Sequence, residues 1–233
     1  MTDPVSNNTN ARDRRVQSQY ESYPYPERNP DDEKTRLIAG SPSNLFELNH
    51  YVFGGARDLS KPMKALVAGG GTGDATIMLA SQLAARGLMA EITHIDISGA
   101  SLEIARARAA ARKLDSINFI QASLNDLTEL GLEKFDYIDC CGVLHHLPEP
   151  AAGLHSLVAA LRPKGGIGLM LYGRLGRTGV YEAQDLLRLI ADDLPDAERV
   201  ETARALLDDL PPTNWLKRNS HIGDHHNAGD AGI

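Results

Sequence analysis

A short apolar stretch, Ala65-Leu66-Val67-Ala68, runs straight into Gly69-Gly70-Gly71-Thr72-Gly73, and the segment from Asp74 to Arg86 then places Ile77, Ala80, Leu83 and Ala84 at helical intervals. No other stretch constrains the fold as much: it reads as a buried strand, a turn made almost wholly of glycine, and an amphipathic helix that stops at Gly87. Glycine lets a ligand approach the backbone of the turn, and the helix behind it presents unpaired N–H groups. The turn is a candidate seat for a nucleotide-like ligand; a plain tight turn is the competing reading.

The alternation continues downstream. Glu91–Ile97 reads as a second strand, followed by a helix from Ser98, a good N-cap, to about Leu114. Ile117–Ala122 and Phe135–Cys141 read as strands three and four. Pro150 opens a helix to about Leu161, and Pro163-Lys164-Gly165-Gly166 turns the chain into a fifth strand over Ile167–Tyr172. Strands alternating with helices predict an α/β fold with a doubly wound, Rossmann-like, mostly parallel sheet. Residues 1–36 show no apolar period and read as a mobile N-terminal arm, with prolines holding Tyr20-Glu21-Ser22-Tyr23-Pro24-Tyr25-Pro26 extended, either packed on the domain surface or serving as a lid. The core is expected over 37–172. Residues 173–233 are expected to carry helical segments within 180–210 and a polar tail.

Composition narrows the partners. With 24 Lys and Arg against 31 Asp and Glu, the 233-residue chain carries a net charge of −7, which disfavours binding through phosphate neutralisation. The two cysteines are adjacent, Cys140 and Cys141, and cannot build a disulfide framework. No apolar stretch is long enough for a signal peptide core or a membrane span, so a cytoplasmic location is expected, with no membrane partner.

The glycine turn does not match the usual nucleotide fingerprints. Counting from Gly69 puts Asp74 at the last position of G-x-G-x-x-G, counting from Gly71 puts Thr76 there, and no Gly-Lys-Ser/Thr ends the turn. Asp74 at the helix start would repel a pyrophosphate but tolerate a ligand with an ammonium group. At the tip of the second strand stands Asp96, which can accept both hydroxyls of a ribose; a solvated or capping carboxylate is the alternative.

Together these stretches resemble a class I S-adenosylmethionine-dependent methyltransferase. The resemblance rests on the glycine turn, Asp96, Asn118-Phe119-Ile120-Gln121-Ala122-Ser123, and the run from Phe135 through Cys141-Gly142-Val143-Leu144-His145-His146-Leu147, with Leu161-Arg162-Pro163-Lys164-Gly165-Gly166 after it. It covers about 64–172. The arm Gln19–Pro26 and Gly168–Tyr172 further resemble bacterial methyltransferases sometimes attached to tetratricopeptide repeats. The resemblance implies S-adenosyl-L-methionine as cofactor, with Gly69, Gly71 and Gly73 against its methionine part, Asp96 on its ribose and Ile97 on the adenine face. Ser123 and the Leu124 backbone amide would meet the adenine edge. Two positions depart from the pattern: Val67 stands where an acidic residue often closes strand one, and Ser123 where an aspartate often accepts the adenine amino group. The family usually adds two strands after strand five, and none is visible here, so the sheet is expected to lack them and to leave an open edge through which copies could associate.

His145 and His146 follow strand four, where an acceptor should approach, and are the candidate catalytic bases; capping or packing is the competing reading. Cys140 and Cys141 end an apolar strand and read as buried, not as nucleophiles. His221, His225 and His226 fit no closed zinc spacing, and no metal is expected. The function implied is methyl transfer by in-line displacement to an unidentified acceptor. A non-catalytic S-adenosylmethionine-binding or regulatory protein is the alternative, and the glycine spacing disfavours a nicotinamide oxidoreductase.

Overall fold

Met63, Ala65, Leu66, Val67 and Ala68 are all buried in β1 (Met63–Ala68), the central strand of the sheet in this computed structural model. The structure describes residues 4–40, 42–58, 60–219 and 222. Two units divide the chain, residues 1–171 and 172–233.

In the first unit, α1 (Pro4–Ser22) and the short α2 (Leu45–Glu47), which continues as a π turn over Leu48–Val52, precede the sheet. The chain then alternates through β1, α3 (Asp74–Ala84), β2 (Ala90–Asp96), α4 (Gly99–Ala111), β3 (Ile117–Gln121), β4 (Phe135–Cys141), α5 (Pro150–Ala159) and β5 (Leu161–Met170). All strand pairings are parallel, in the order β3-β2-β1-β4-β5. Both sheet faces are covered. On one, Leu79 and Leu83 of α3 pack with Leu45, Leu48 and Tyr137; on the other, Leu157 of α5 packs with Leu124, Leu144 and Ile138. Each such side chain contributes about 1.5–3 kcal/mol on full burial, so a sheet covered on both faces is the stable arrangement. The chain thus has the expected α/β fold, its sheet is wholly parallel, and no strand follows β5 among the described residues.

The order reverses at β1, with β2 on one side and β4 on the other. Ligands bind in such sheets at the carboxyl ends of the strands flanking the reversal. Here those ends carry the glycine turn and the Gly142–His146 segment, which touch: a Cβ placed on Gly69 would lie 2.5 Å from Val143 Cγ2.

Within residues 1–36, read as a mobile arm, Pro4–Ser22 is helical and a 3-10 turn spans Pro30–Lys34, and the segment falls in the same unit as the core. One local expectation needs correction. The fifth strand starts at Leu161, opposite Phe135, instead of at Ile167. Arg162-Pro163-Lys164-Gly165 then bulge against the single residue Asp136 before pairing resumes at Tyr137 and Gly166. The expected turn is thus a bulge inside the strand, with Lys164 in the left-handed region at φ +67 and the Asp136 carboxylate held by Arg57, Arg162 and the Lys64 N–H.

The second unit contains α6 (Val180–Ala191), α7 (Asp196–Asp209) and α8 (Trp215–Arg218), the last capped by Asn214. Four residues are too few for a sequence period, which is why α8 was not foreseen. His221, His225 and His226 lie outside the described residues. No helix among the described residues is long and apolar enough to cross a membrane.

Candidate active site at the carboxyl ends of the strands

Gly71 has φ +54, open to glycine at little cost, and a Cβ there would run into the Tyr25 carbonyl oxygen. This turn shape points the Gly71 N–H at Asp96, whose Oδ2 accepts it at 2.7 Å, while Oδ1 accepts the Ser98 N–H at 2.9 Å. The candidate ribose acid and the glycine turn are therefore one hydrogen-bonded unit. Burial pushes the Asp96 carboxyl above the usual carboxylate range, against the lowering effect of the Ser98, Gly71 and Ile97 N–H groups. Three N–H groups leave the carboxylate with acceptor capacity still free for a ligand hydroxyl.

Beneath the turn lies His94. A Cβ on Gly70 would collide with its ring, and its Nδ1 sits 2.8 Å from Thr76 Oγ1. Burial lowers its pKa to about 3, so it is a neutral platform at physiological pH and not a base. Asp74 does not stand as a free acid awaiting an ammonium group: Arg28 and Arg108 both bind it. Burial raises its pKa, but hydrogen bonds from the two guanidinium groups outweigh that and hold it below the usual range. Val67 pairs in register with Asp139, a buried carboxylate on β4 that accepts a hydrogen bond from Ser43 Oγ at 2.6 Å.

The arm crosses this whole region. Gln17 Nε2 donates to the Ile97 carbonyl at 3.2 Å, Ser98 Oγ donates to the Tyr20 carbonyl at 3.0 Å, and Glu21 accepts the Gly99 and Ala100 N–H groups at 2.7 and 2.9 Å. Ser123 Oγ and Asn125 Nδ2 both donate to Asp13 Oδ2, at 3.2 and 2.9 Å. A carboxylate therefore does reach Ser123, supplied by the arm. The Leu124 side chain is buried in the core, which leaves its backbone as the part able to meet a ligand.

His146 Nε2 lies 3.3 Å from the Tyr20 hydroxyl, with the two rings edge to face at 6.0 Å, and the His145 ring lies tilted against His146 at 4.3 Å between centroids. The structure thus brings Gly69, Gly71, Gly73, Asp96, Ile97, Ser123, His145 and His146 to one end of the sheet. Sequence reasoning missed Asp13, Gln17, Arg28 and Arg108, and it placed Tyr20 and Glu21 only in a segment that packs on the domain surface or serves as a lid. Asp13, Gln17, Tyr20 and Glu21 recur at helical spacing and form one polar stripe, a signal that a search for apolar periods passes over.

Cys140 is buried in the core, and burial pushes its thiol up to about 12, with Asp139 adding to the effect. At pH 8 this leaves roughly a thousandfold fewer thiolates than for an ordinary cysteine. Iodoacetamide should modify Cys140 only after unfolding; rapid labelling of the folded chain, read by peptide mass spectrometry, would refute the burial argument. A groove of about 400 Å³ lined by Arg57, Asp136, Arg162 and Lys164 opens at the amino ends of the strands, away from this chemistry.

Residues 66–167 match the family model described as a methyltransferase domain. That segment is a methyltransferase domain of the class I, S-adenosylmethionine-dependent type. An uncharacterised protein of Synechococcus is 35% identical to this chain over 208 residues, 87% of the chain and 48% of the relative. A ubiquinone biosynthesis O-methyltransferase of Alkalilimnicola ehrlichii is 29% identical over 116 residues, 48% of the chain and 46% of that protein. Among solved structures, PKMT2 of Rickettsia typhi in complex with AdoHcy shares the fold, with a TM-score of 0.50 and 21% identity over 70% of this chain and 31% of that one. The chain spans about half the length of the curated relatives it matches.

Proposed function

We propose that the chain transfers a methyl group from S-adenosylmethionine to an acceptor bearing an acidic hydroxyl. The observation that carries the cofactor assignment is the 2.7 Å bond from Gly71 N–H to Asp96, which joins the glycine turn to a buried carboxylate at the tip of β2. The residues fit the group: a backbone cradle that a Cβ at Gly69 would fill, a buried carboxylate with acceptor capacity still free, and the half-buried Ile97 next to it in the chain. S-adenosylmethionine, when bound, supplies a sulfonium methyl open to in-line attack.

The chain's own groups supply binding, orientation and a base. Asp96 would hold the ribose hydroxyls, Gly69, Gly71 and Gly73 the methionine part, and Ile97, Ser123 and the Leu124 N–H the adenine. His146 is the base that takes the acceptor proton, with the tilted His145 ring against it, and α1 excludes water from above. Tyr20 already places a phenol hydroxyl at His146 Nε2, which is the contact an acidic acceptor hydroxyl would make. The O-methyltransferase relatives support oxygen as the atom methylated.

Calorimetry with S-adenosylmethionine, S-adenosylhomocysteine and NAD tests the cofactor assignment. The first two should bind and NAD should not. Asp96→Ala should weaken binding by about 1.5–3 kcal/mol, the range for hydrogen bonds involving a charged group. Unchanged affinity in that variant removes Asp96 from the site. Transfer of isotope-labelled methyl to a metabolite extract, read by mass spectrometry, separates an enzyme from a non-catalytic binder, which would give no labelled product.

A further inference from the structure

The arm and the glycine turn are joined by a charge network that none of the ligand contacts above uses. Arg108 lies on α4 with its side chain 1% exposed. Its Nε donates to Glu33 Oε1 at 2.8 Å, with Nη2 2.7 Å from the same oxygen, and Nη1 donates to the Thr72 carbonyl at 2.8 Å and to Asp74 Oδ1 at 2.7 Å. Asp74 is gripped from its other side by Arg28 of the arm, through Nε at 2.9 Å and Nη2 at 2.7 Å. The second oxygen of Glu33 accepts from Arg112.

Thr72 is the one residue of the turn that is not glycine, and all three of its polar groups are held. Its N–H donates to the Tyr25 carbonyl at 3.3 Å, its hydroxyl to the Pro26 carbonyl at 2.7 Å, and its carbonyl accepts from Arg108. Glycine-rich backbone has many accessible shapes, so a turn that must present N–H groups in one shape needs outside restraint. A buried ion network adds little stability over apolar packing of the same volume, because desolvation offsets the attraction. What the network supplies here is geometry.

The geometry points to Arg108 as a positioning residue: it sets the path of Gly69–Gly73 through Thr72 and Asp74, and through Glu33 and Arg28 it ties that path to the docked arm. Arm docking and S-adenosyl ligand binding are then coupled, and the coupling is reciprocal. This inference rests on the cofactor assignment proposed above.

The test uses the full chain and two variants. Arg28→Gln removes the link from the arm to Asp74. Arg108→Lys keeps a positive charge beside Glu33 but lacks the planar fork that reaches Glu33, Thr72 and Asp74 together. Two readouts are taken: the affinity for S-adenosylhomocysteine by calorimetry, and the rate of tryptic cleavage at Arg14 and Arg15, which are exposed on α1. In the wild type, saturating S-adenosylhomocysteine should slow cleavage there by about 5–150-fold, the usual range of coupling between two sites. Each variant should bind the ligand more weakly by a similar factor, and ligand protection of the arm should fall toward none. Wild-type binding with no protection of the arm overturns the coupling, and so do variants that bind as the wild type does. A wild type that binds no S-adenosylhomocysteine overturns the cofactor assignment itself, so the two failures are distinguishable. If Arg108→Lys does not fold, Arg28→Gln carries the test alone, because Arg28 and Asp74 are partly exposed and the pair contributes little to the core.

Discussion

Arg108→Ala is expected to cost about 3–5 kcal/mol of folding stability, the range for breaking a buried ion pair by removing one partner. The reason is what stays behind: Glu33, 1% exposed at its side chain, would keep only Arg112, and the Thr72 carbonyl would lose its donor. At roughly 2–4 °C per kcal/mol for a chain of this size, the melting temperature should fall by about 6–20 °C. Replacing both partners, Arg108→Met with Glu33→Leu, should recover most of that loss, because no unpaired charge remains buried. A drop under about 2 °C for the single variant, measured by calorimetry, would refute the network. The pH dependence has a definite sign. Asp74 is held below the usual carboxylate range, so its contribution is present above that range and lost as pH falls through the depressed value. Without Arg108 that depression shrinks, and the acid limb of the melting curve should move to higher pH.

His146→Gln is expected to lower kcat by about 10²–10⁴-fold, the usual contribution of a positioned base, with little change in S-adenosylmethionine affinity. Glutamine keeps a polar group near the Tyr20 hydroxyl but cannot take a proton. Tyr20→Phe retains the edge-to-face ring contact and loses only the hydroxyl. Its effect should be the smaller one, about 2–10-fold, in line with one neutral hydrogen bond. Steady-state kinetics with the acceptor found by methyl labelling checks both. A His146→Gln variant that keeps kcat within twofold would show that the acceptor reaches the methyl group already deprotonated, and the histidine pair would then be packing.

The strands and helices of the core were legible in the sequence because their signal is local. Phe135–Cys141 was bounded as observed, and Ser98 caps its helix through Ser101 N–H as its residue type suggests. Gly69-Gly70-Gly71-Thr72-Gly73 and Asp96 could be paired as a site because a parallel sheet puts the ends of neighbouring strands side by side, whatever the details of packing.

What sequence could not decide was long-range polar pairing. The residues of α1 that meet the site, Asp13, Gln17, Tyr20 and Glu21, are polar, so the helix carries no apolar stripe and reads as a mobile arm until its partners after β2, β3 and β4 are in place. Burial of Arg108 and Glu33 was equally silent, since a charged residue on a helix is ordinarily solvated and only a folded partner 75 positions away makes its desolvation tolerable. Asp74 looked like a free acid for the same reason. The sequence by itself determined a parallel sheet with a glycine turn and an acid at its carboxyl end, and left the arm as surface packing or a lid; tertiary structure alone supplied the polar helix that crosses that end, because hydrogen bonds and ion pairs between distant segments leave no periodic trace in the chain.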